Sequence, residues 1–404
     1  MLTSLHGEER SVDVELAIAA AERHLAKRNY SVHHVLLGKR INTVHLLAVN
    51  GSGISVNGAG KGVHRQSFAS AIFEAIEHIY TVKFESNHHS NVKSLDLEKS
   101  DLFLAKGAPY FERLEGNSDL CFTRIEFSSL TEIKIVEYPA FLIYPHFKAF
   151  ADVEISSIND HSLMRYSSNS GAAAGVNVDE ATLHGMLEVI ERDAIGIALL
   201  KTIFKKSPEP VKIVRLSSLP LNIAKLITVA EIQESAKFVV YDISCDTGLP
   251  VFMSFMLTDT GDKFFGSGAS LNAEYALERA VLEAVQYRHI SNHIGRPSPK
   301  RRTSSDITKI KFLSAFLESG LFEYRGGSIL VDFPSVNKGG TSLKEKIATV
   351  ANLCSAVGVE FYRRIVVNDE IAVVQITAPK LERFHLLARG VIVMPGSRGR
   401  KMLQ

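Results

Sequence analysis

Ser167-Ser168-Asn169-Ser170-Gly171-Ala172-Ala173-Ala174-Gly175, a turn of small residues and glycine, hands over to a helix from about Asp179 to Leu200. Leu183, Met186, Leu187, Val189, Ile190, Ala194, Ile195 and Ile197 make that helix apolar on most sides, which predicts burial. The same arrangement stands on either side of it. Upstream, Asn57-Gly58-Ala59-Gly60-Lys61-Gly62 reads as a glycine-rich turn before a helix from about Arg65 to Lys83. Downstream, the strand-like Val251 to Leu257 is followed by the turn Gly266-Ser267-Gly268-Ala269-Ser270 and a helix from about Ala273 to His289. Three glycine-containing turns thus precede three helices rich in acidic residues.

Outside these units, helix and strand patterns alternate. Val12 to Arg28 is an amphipathic helix, with Val14, Ala17, Ile18, Ala21 and Leu25 at helical spacing. Val35 to Val56 alternates like a hairpin broken at Asn50-Gly51-Ser52-Gly53. Strand-like runs follow at Glu132 to Phe141, Ala149 to Ile155, Glu360 to Val367 and Ile371 to Thr377, and Ser342 to Ala356 is helical. Residues 87–115 are polar and mixed, as in an insertion or loop. Lys300 to Asp306 is a basic, serine-containing stretch that reads as a mobile loop or linker, and a short polar tail follows Pro395. We expect an α/β fold in which mixed sheets carry packed helices. It forms one domain over 1–404, with 57–290 as the site-bearing core and 291–404 completing it.

The composition narrows the class. With 404 residues, 46% of them hydrophobic, the chain can bury a large core. A formal net charge of +2 supplies no field of one sign, so neither nucleic acid nor a membrane is the expected partner. Cys121, Cys245 and Cys354 are widely spaced and odd in number, which disfavours a disulfide framework or structural zinc and fits a reducing cytoplasm. The first ten residues lack a basic-then-apolar export signal, so a soluble, unexported protein is expected.

The chemistry lies on the three helices. Glu74 and Glu77 share a face of the first, Glu188 and Glu191 of the second, and Arg279, Glu283 and Gln286 of the third, because residues three or four apart are helix neighbours. A single acidic pair is usually a solvated face. In helices this apolar, however, a glutamate needs a cation, either an arginine in a structural ion pair or a metal. Hard divalent cations take carboxylate oxygens, and in nucleotide sites phosphate and water complete the shell. Arg192, Arg279 and Lys61 would neutralise the remaining phosphate charge. Other motifs carry less. Gly58 to Gly62 fails the P-loop spacing, and His88-His89 lacks the partner of a zinc helix. Ser167, Ser168 and Ser170 fit helix capping or phosphate contact better than a hydrolase nucleophile.

Taken together the three blocks resemble the YcaO family: Gly60-Lys61-Gly62 with Ala69 to Glu77; Ala173-Ala174-Gly175 with Glu180-Ala181 and Leu187 to Ala194; and Gly266-Ser267-Gly268-Ala269 with Arg279 to Arg288. The resemblance implies a YcaO-type fold binding ATP and Mg2+. It implies that Glu74, Glu77, Glu188 and Glu191 hold Mg2+. Lys61, Ser70, Glu180, Arg192, Arg279 and Gln286 would contact the nucleotide, with Arg192, Arg279 and Glu283 as the catalytic set. Some members place an asparagine where Val176 falls, and Asn177 is adjacent.

The family uses ATP to phosphorylate a backbone amide oxygen of a ribosomally made precursor peptide. A neighbouring Cys, Ser or Thr then gives an azoline, and external sulfide gives a thioamide. Azoline-forming members typically end in a PxPxP tail, whereas this chain ends Val393 to Gln404 without one, and its Arg398-Gly399-Arg400-Lys401 reads as a solvated terminus. That raises the thioamide expectation. No leader-binding domain is recognisable at the N-terminus, so a separate E1-like or TfuA-type partner is expected to capture the peptide, and self-association is left open. A non-catalytic nucleotide-binding subunit of a modification complex is the competing expectation.

Overall fold

A computed structural model describes residues 9–81, 91–93, 121–145, 164–204, 210–295 and 328–402. The expectations for 149–155, His88-His89, 300–306 and most of 87–115 lie outside the described residues. The chain opens with helix α1 (Val14–Lys27), capped by the Asp13 carboxylate, which accepts from the Leu16 backbone N–H. An antiparallel three-stranded sheet follows, β1 (Tyr30–Leu37), β2 (Asn42–Asn50) and β3 (Ser55–Gly62), and then helix α2 (Arg65–Thr81).

β4 (Asn91–Lys93), β5 (Cys121–Ser129) and β6 (Ile135–Pro139) belong to a second sheet together with β7 (Ala172–Gly175), which leads into helix α3 (Val178–Phe204). Residues 211–242 supply β8 (Val211–Val214), α4 (Leu221–Glu234) and β9 (Ala236–Asp242), and β10 (Val251–Thr258) and β11 (Lys263–Ala269) run into helix α5 (Ala273–His293). With β12 (Ser328–Val331), these strands form a third sheet in the order β11-β10-β9-β8-β12, mixed because β12 lies parallel to β8. Helix α6 (Leu343–Ser355) starts at a Ser342/Glu345 capping box. β13 (Tyr362–Asn368) and β14 (Ala372–Thr377) complete the second sheet, and α7 (Ser397–Lys401) closes the described chain. The α/β expectation with mixed sheets holds. No described helix is long and apolar enough to cross a membrane.

Two of the expected turns are strands. Asn57 to Gly62 lies in β3 and Gly266 to Ala269 in β11, each lying against the helix that follows it. The glycines serve that contact rather than a change of direction. A Cβ at Gly58 would overlap the Ala71 carbonyl, and one at Gly60 the Ser67 carbonyl. On the other unit, a Cβ at Gly266 would overlap the Ala280 carbonyl, and one at Gly268 the Ala276 carbonyl. The two hairpin–helix units therefore repeat one device, backbone against backbone through glycine and alanine. Only the block before α3 keeps a true turn, at Gly171 with φ 88°, ahead of the short β7.

The tail also departs from expectation. Arg398 is only 10% exposed and forks onto Asp193 of α3, Nε to Oδ1 at 2.9 Å and Nη2 to Oδ2 at 3.0 Å, while Nη1 reaches Asp246 at 3.1 Å. Asp193 is buried and would be an uncompensated charge without it. Three hydrophobic clusters fill the layers. One lies between α1, α2 and the first sheet, one between α4, α5 and the third sheet, and the largest surrounds α3.

Replacing Gly60 or Gly268 by alanine should cost about 1–3 kcal/mol of stability by forcing helix and strand apart. Gly51→Ala, which meets nothing within 4 Å, should be close to neutral, and urea denaturation midpoints of the three variants check this.

Candidate functional site

The repeated device decides which helix positions face inward. One residue before, three after and six after Ala71 stand Ser70, Glu74 and Glu77. The same offsets from Ala280 give Arg279, Glu283 and Gln286. Because Ala71 and Ala280 both sit against glycine of the preceding strand, these two triplets project from matching places in the two units. The third contributor is α3, whose Asn177 caps it by accepting from the Glu180 N–H at 2.9 Å.

All three helices open onto one cavity of about 360 Å³. Lys61, Ser70, Glu74, Glu77, Glu180, Glu188, Glu191, Arg192, Arg279, Glu283 and Gln286 all line it. The structure therefore brings every expected site residue to one cavity. Asn169 also reaches the cavity, whereas Asn177 is occupied in capping and in donating to the Ser11 hydroxyl at 2.9 Å.

Cross-helix pairing is uneven. Lys61 Nζ meets Glu283 Oε2 at 2.7 Å, and Gln286 Nε2 donates to the Ala59 carbonyl, so α5 is tied to β3. Glu191 is almost fully buried and its Oε1 accepts from Ser267 Oγ at 2.6 Å. Its Oε2 has no hydrogen bond among the described residues, with Arg279 Nη2 only at 3.9 Å. Glu188 Oε2 accepts from the Gly171 N–H at 3.3 Å, while its Oε1 lies 3.7 Å from Arg192 Nη2, and Arg192 Nε has no hydrogen bond among the described residues. These separations are too long for the tight ion pairs that a purely structural salt-bridge core requires.

Electrostatics points the same way. Burial, against the nearby Lys61, pushes the Glu74 carboxyl up to about 7. Burial and the charges of Glu188 and Glu74 hold Glu77 well above the carboxylate range, and burial raises Glu188 despite Arg192. Glu283 runs the other way: burial opposes its charge, but Lys61 and Arg192 outweigh that and hold it below the usual range. Glu74, Glu77 and Glu188 thus repel one another, and the cations near them do not offset their burial. Among the described residues no three acidic, imidazole or thiol groups converge tightly enough to cage a metal alone. The expected quartet is accordingly a set of oxygens sharing a cavity rather than a closed shell. That donor set suits Mg2+, which keeps water and phosphate oxygens among its ligands.

Other wall residues carry no periodic sequence signal. Arg10 Nη1 meets Glu180 Oε1 at 2.9 Å, and the Ser11 N–H and hydroxyl both reach Glu180 Oε2 at 3.0 Å. Glu180 is therefore engaged in fastening the segment before α1 across the cavity edge. Arg389 reaches the wall from the other end of the chain. Ser168 and Ser170 bond to each other at 2.7 Å rather than cap a helix.

A family model described as YcaO cyclodehydratase, ATP- and Mg2+-binding, matches residues 59–382. The chain belongs to the YcaO family. The ligands of that family are ATP and Mg2+, and the oxygen-rich, arginine-flanked wall fits them. Solved YcaO-type structures share the fold. A heterocyclase solved in complex with substrate and cofactor aligns with a TM-score of 0.67 at 19% identity, over 94% of this chain and 54% of its own. YcaO from Methanopyrus kandleri, bound with AMPPCP and Mg2+, aligns at 0.66 with 18% identity, over 98% and 99% of the two chains. Among curated proteins, an uncharacterized protein in the tfuA 3' region of Rhizobium leguminosarum bv. trifolii is 26% identical over 232 residues. This YcaO chain spans about half the length of that relative, 52%, and the match takes in 53% of the chain itself.

Because Glu74 binds its proton more tightly folded than unfolded, it favours the folded state below about pH 4.5, and that contribution is lost as pH rises through about 7. Glu74→Gln should therefore raise the melting temperature of the ligand-free protein at pH 8 by roughly 1–2 °C, and leave it unchanged at pH 4. Differential scanning calorimetry across that range is the check.

Proposed function

We propose that this YcaO chain uses ATP to activate a backbone amide of a ribosomally made precursor peptide, as one component of a maturation complex. The observation that carries this reading is the meeting of eleven expected residues, from three helices and one strand, around a single cavity. Bound Mg-ATP supplies the phosphoryl group that turns the amide oxygen into a leaving group. Glu74, Glu77, Glu188 and Glu191 provide the metal's protein oxygens. Lys61, Ser70, Gln286 and the edge-fastening Glu180 orient the nucleotide. Arg192 and Arg279 are fixed counter-charges for phosphoryl oxygens, as such a transfer needs positioning and charge neutralisation more than a protein nucleophile. Glu283, kept ionised by Lys61 and Arg192, completes the catalytic set and holds Lys61 in place.

The nucleophile adds to the activated carbonyl carbon, and the amide oxygen departs with phosphate, leaving ADP and phosphate as co-products. A neighbouring Cys, Ser or Thr yields an azoline, and sulfide yields a thioamide. The tfuA neighbourhood of the curated relative favours the thioamide outcome with a TfuA-type partner. An E1-like leader-binding partner would accompany the azoline alternative.

The test combines the purified chain, a TfuA-type protein, a precursor peptide, Mg-ATP and a sulfide source. Phosphate release should accompany a peptide mass change of one sulfur for one oxygen, and Glu191→Gln should cut turnover by about 100-fold or more, as for a lost electrostatic contact in a water-poor site. Loss of one water from the peptide would assign the azoline reaction instead. Nucleotide binding with no phosphate release would assign the accessory, non-catalytic role.

A further inference from the structure

Five lysine or arginine side chains line the cavity, and four of them face a carboxylate: Arg10 on Glu180, Lys61 on Glu283, Arg192 on Glu188 and Arg279 on Glu191. Arg389 is the exception. Among the described residues it makes no hydrogen bond and no ion pair within 4 Å, yet it lines the cavity within electrostatic reach of Glu188, Glu283 and Arg192. The family match ends at residue 382, so nothing in that match assigns Arg389 a role.

The backbone beneath Arg389 is held firmly. The Glu382 carboxylate accepts from four backbone N–H groups, those of Arg383, Phe384, Gly396 and Gly399. Its own N–H donates to Asp193 at 2.7 Å, the residue after Arg192 on α3. Leu386 and Leu387 are buried, and Gly390 ends the 384–389 turn in the left-handed region at φ 82°. The backbone at 389 is thus held in place, and its guanidinium lies within electrostatic reach of Glu188 and Glu283 without a bonded carboxylate among the described residues. Of the five cations Arg389 is the exposed one, so an anion that it meets is the outermost part of a ligand bound in the cavity.

We propose that Arg389 binds the terminal phosphoryl group of ATP, the one that passes to the peptide amide. This rests on the reading of the cavity as an ATP site. In the transfer, the amide oxygen forms a bond to the terminal phosphorus while the bond from that phosphorus to the bridging oxygen breaks, and ADP leaves with the electron pair. A guanidinium on the terminal phosphoryl oxygens stays useful throughout, since their charge persists on the phosphorylated amide.

The experiment compares Mg-AMPPCP, which carries a terminal phosphonyl group, with Mg-ADP, which lacks it, by isothermal titration on the full chain. Arg389→Ala should weaken Mg-AMPPCP binding by about 10-fold or more, as expected on losing a charge-assisted contact, and change Mg-ADP binding less than about 2-fold. Arg389→Lys should recover part of the lost affinity. Equal weakening of both nucleotides, or no change in either, would overturn the assignment while leaving the ATP site standing. Failure of the unmodified protein to bind either nucleotide would remove the ATP-site reading, and this proposal with it.

Discussion

Backbone-to-backbone contact between a strand and the helix after it is the constraint on which the rest of this structure depends. β3 can lie against α2, and β11 against α5, only because Gly58, Gly60, Gly266 and Gly268 present no side chain to the carbonyls of Ser67, Ala71, Ala276 and Ala280. Close packing of this kind fixes helix rotation as well as distance, since a turn of the helix would bring larger residues onto the strand. With rotation fixed, Ser70, Glu74 and Glu77 on one unit and Arg279, Glu283 and Gln286 on the other are aimed at the same space.

The cost of that aim is electrostatic. α3 opens onto the same cavity and adds Glu188 and Glu191, so carboxylates gather faster than the cations that could pair with them. Lys61 satisfies Glu283, but Glu74, Glu77 and Glu188 are left with raised proton affinities, and Glu188 and Glu191 with long, poorly matched arginine separations. A structural ion-pair core would have closed those gaps. An arrangement this incompletely neutralised favours a ligand that brings its own positive charge together with anionic groups for the arginines, which describes a magnesium nucleotide.

Much of this was legible from residue order. The helices announced themselves through apolar periodicity, and the helix-neighbour spacing of Glu74/Glu77, Glu188/Glu191 and Arg279/Glu283/Gln286 already grouped the wall residues. The glycine stretches did not read correctly, because glycine that opens a turn and glycine that admits a helix look alike in one dimension. The distinguishing signal is the alanine spacing in the following helix, Ala71 with Ala75 and Ala276, Ala280 with Ala284, which marks the face that touches the strand. Arg10 and Arg389 escaped because they lie in segments with no period to read, and their places depend on contacts across most of the chain. Arg398 is the same case: a basic tail reads as solvated until Asp193, more than 200 residues earlier, is seen to be buried beneath it.

The central claim is that the carboxylates of α2 and α3 are a cation-dependent nucleotide site. It is tested most directly by titrating ATP into the protein at pH 7, with Mg2+ and with EDTA, in two buffers of different protonation enthalpy. Binding should require Mg2+, and the buffer dependence should report protons released as Glu74 and its neighbours ionise against the metal. Equal binding in EDTA, with no proton release in either buffer, would contradict the account.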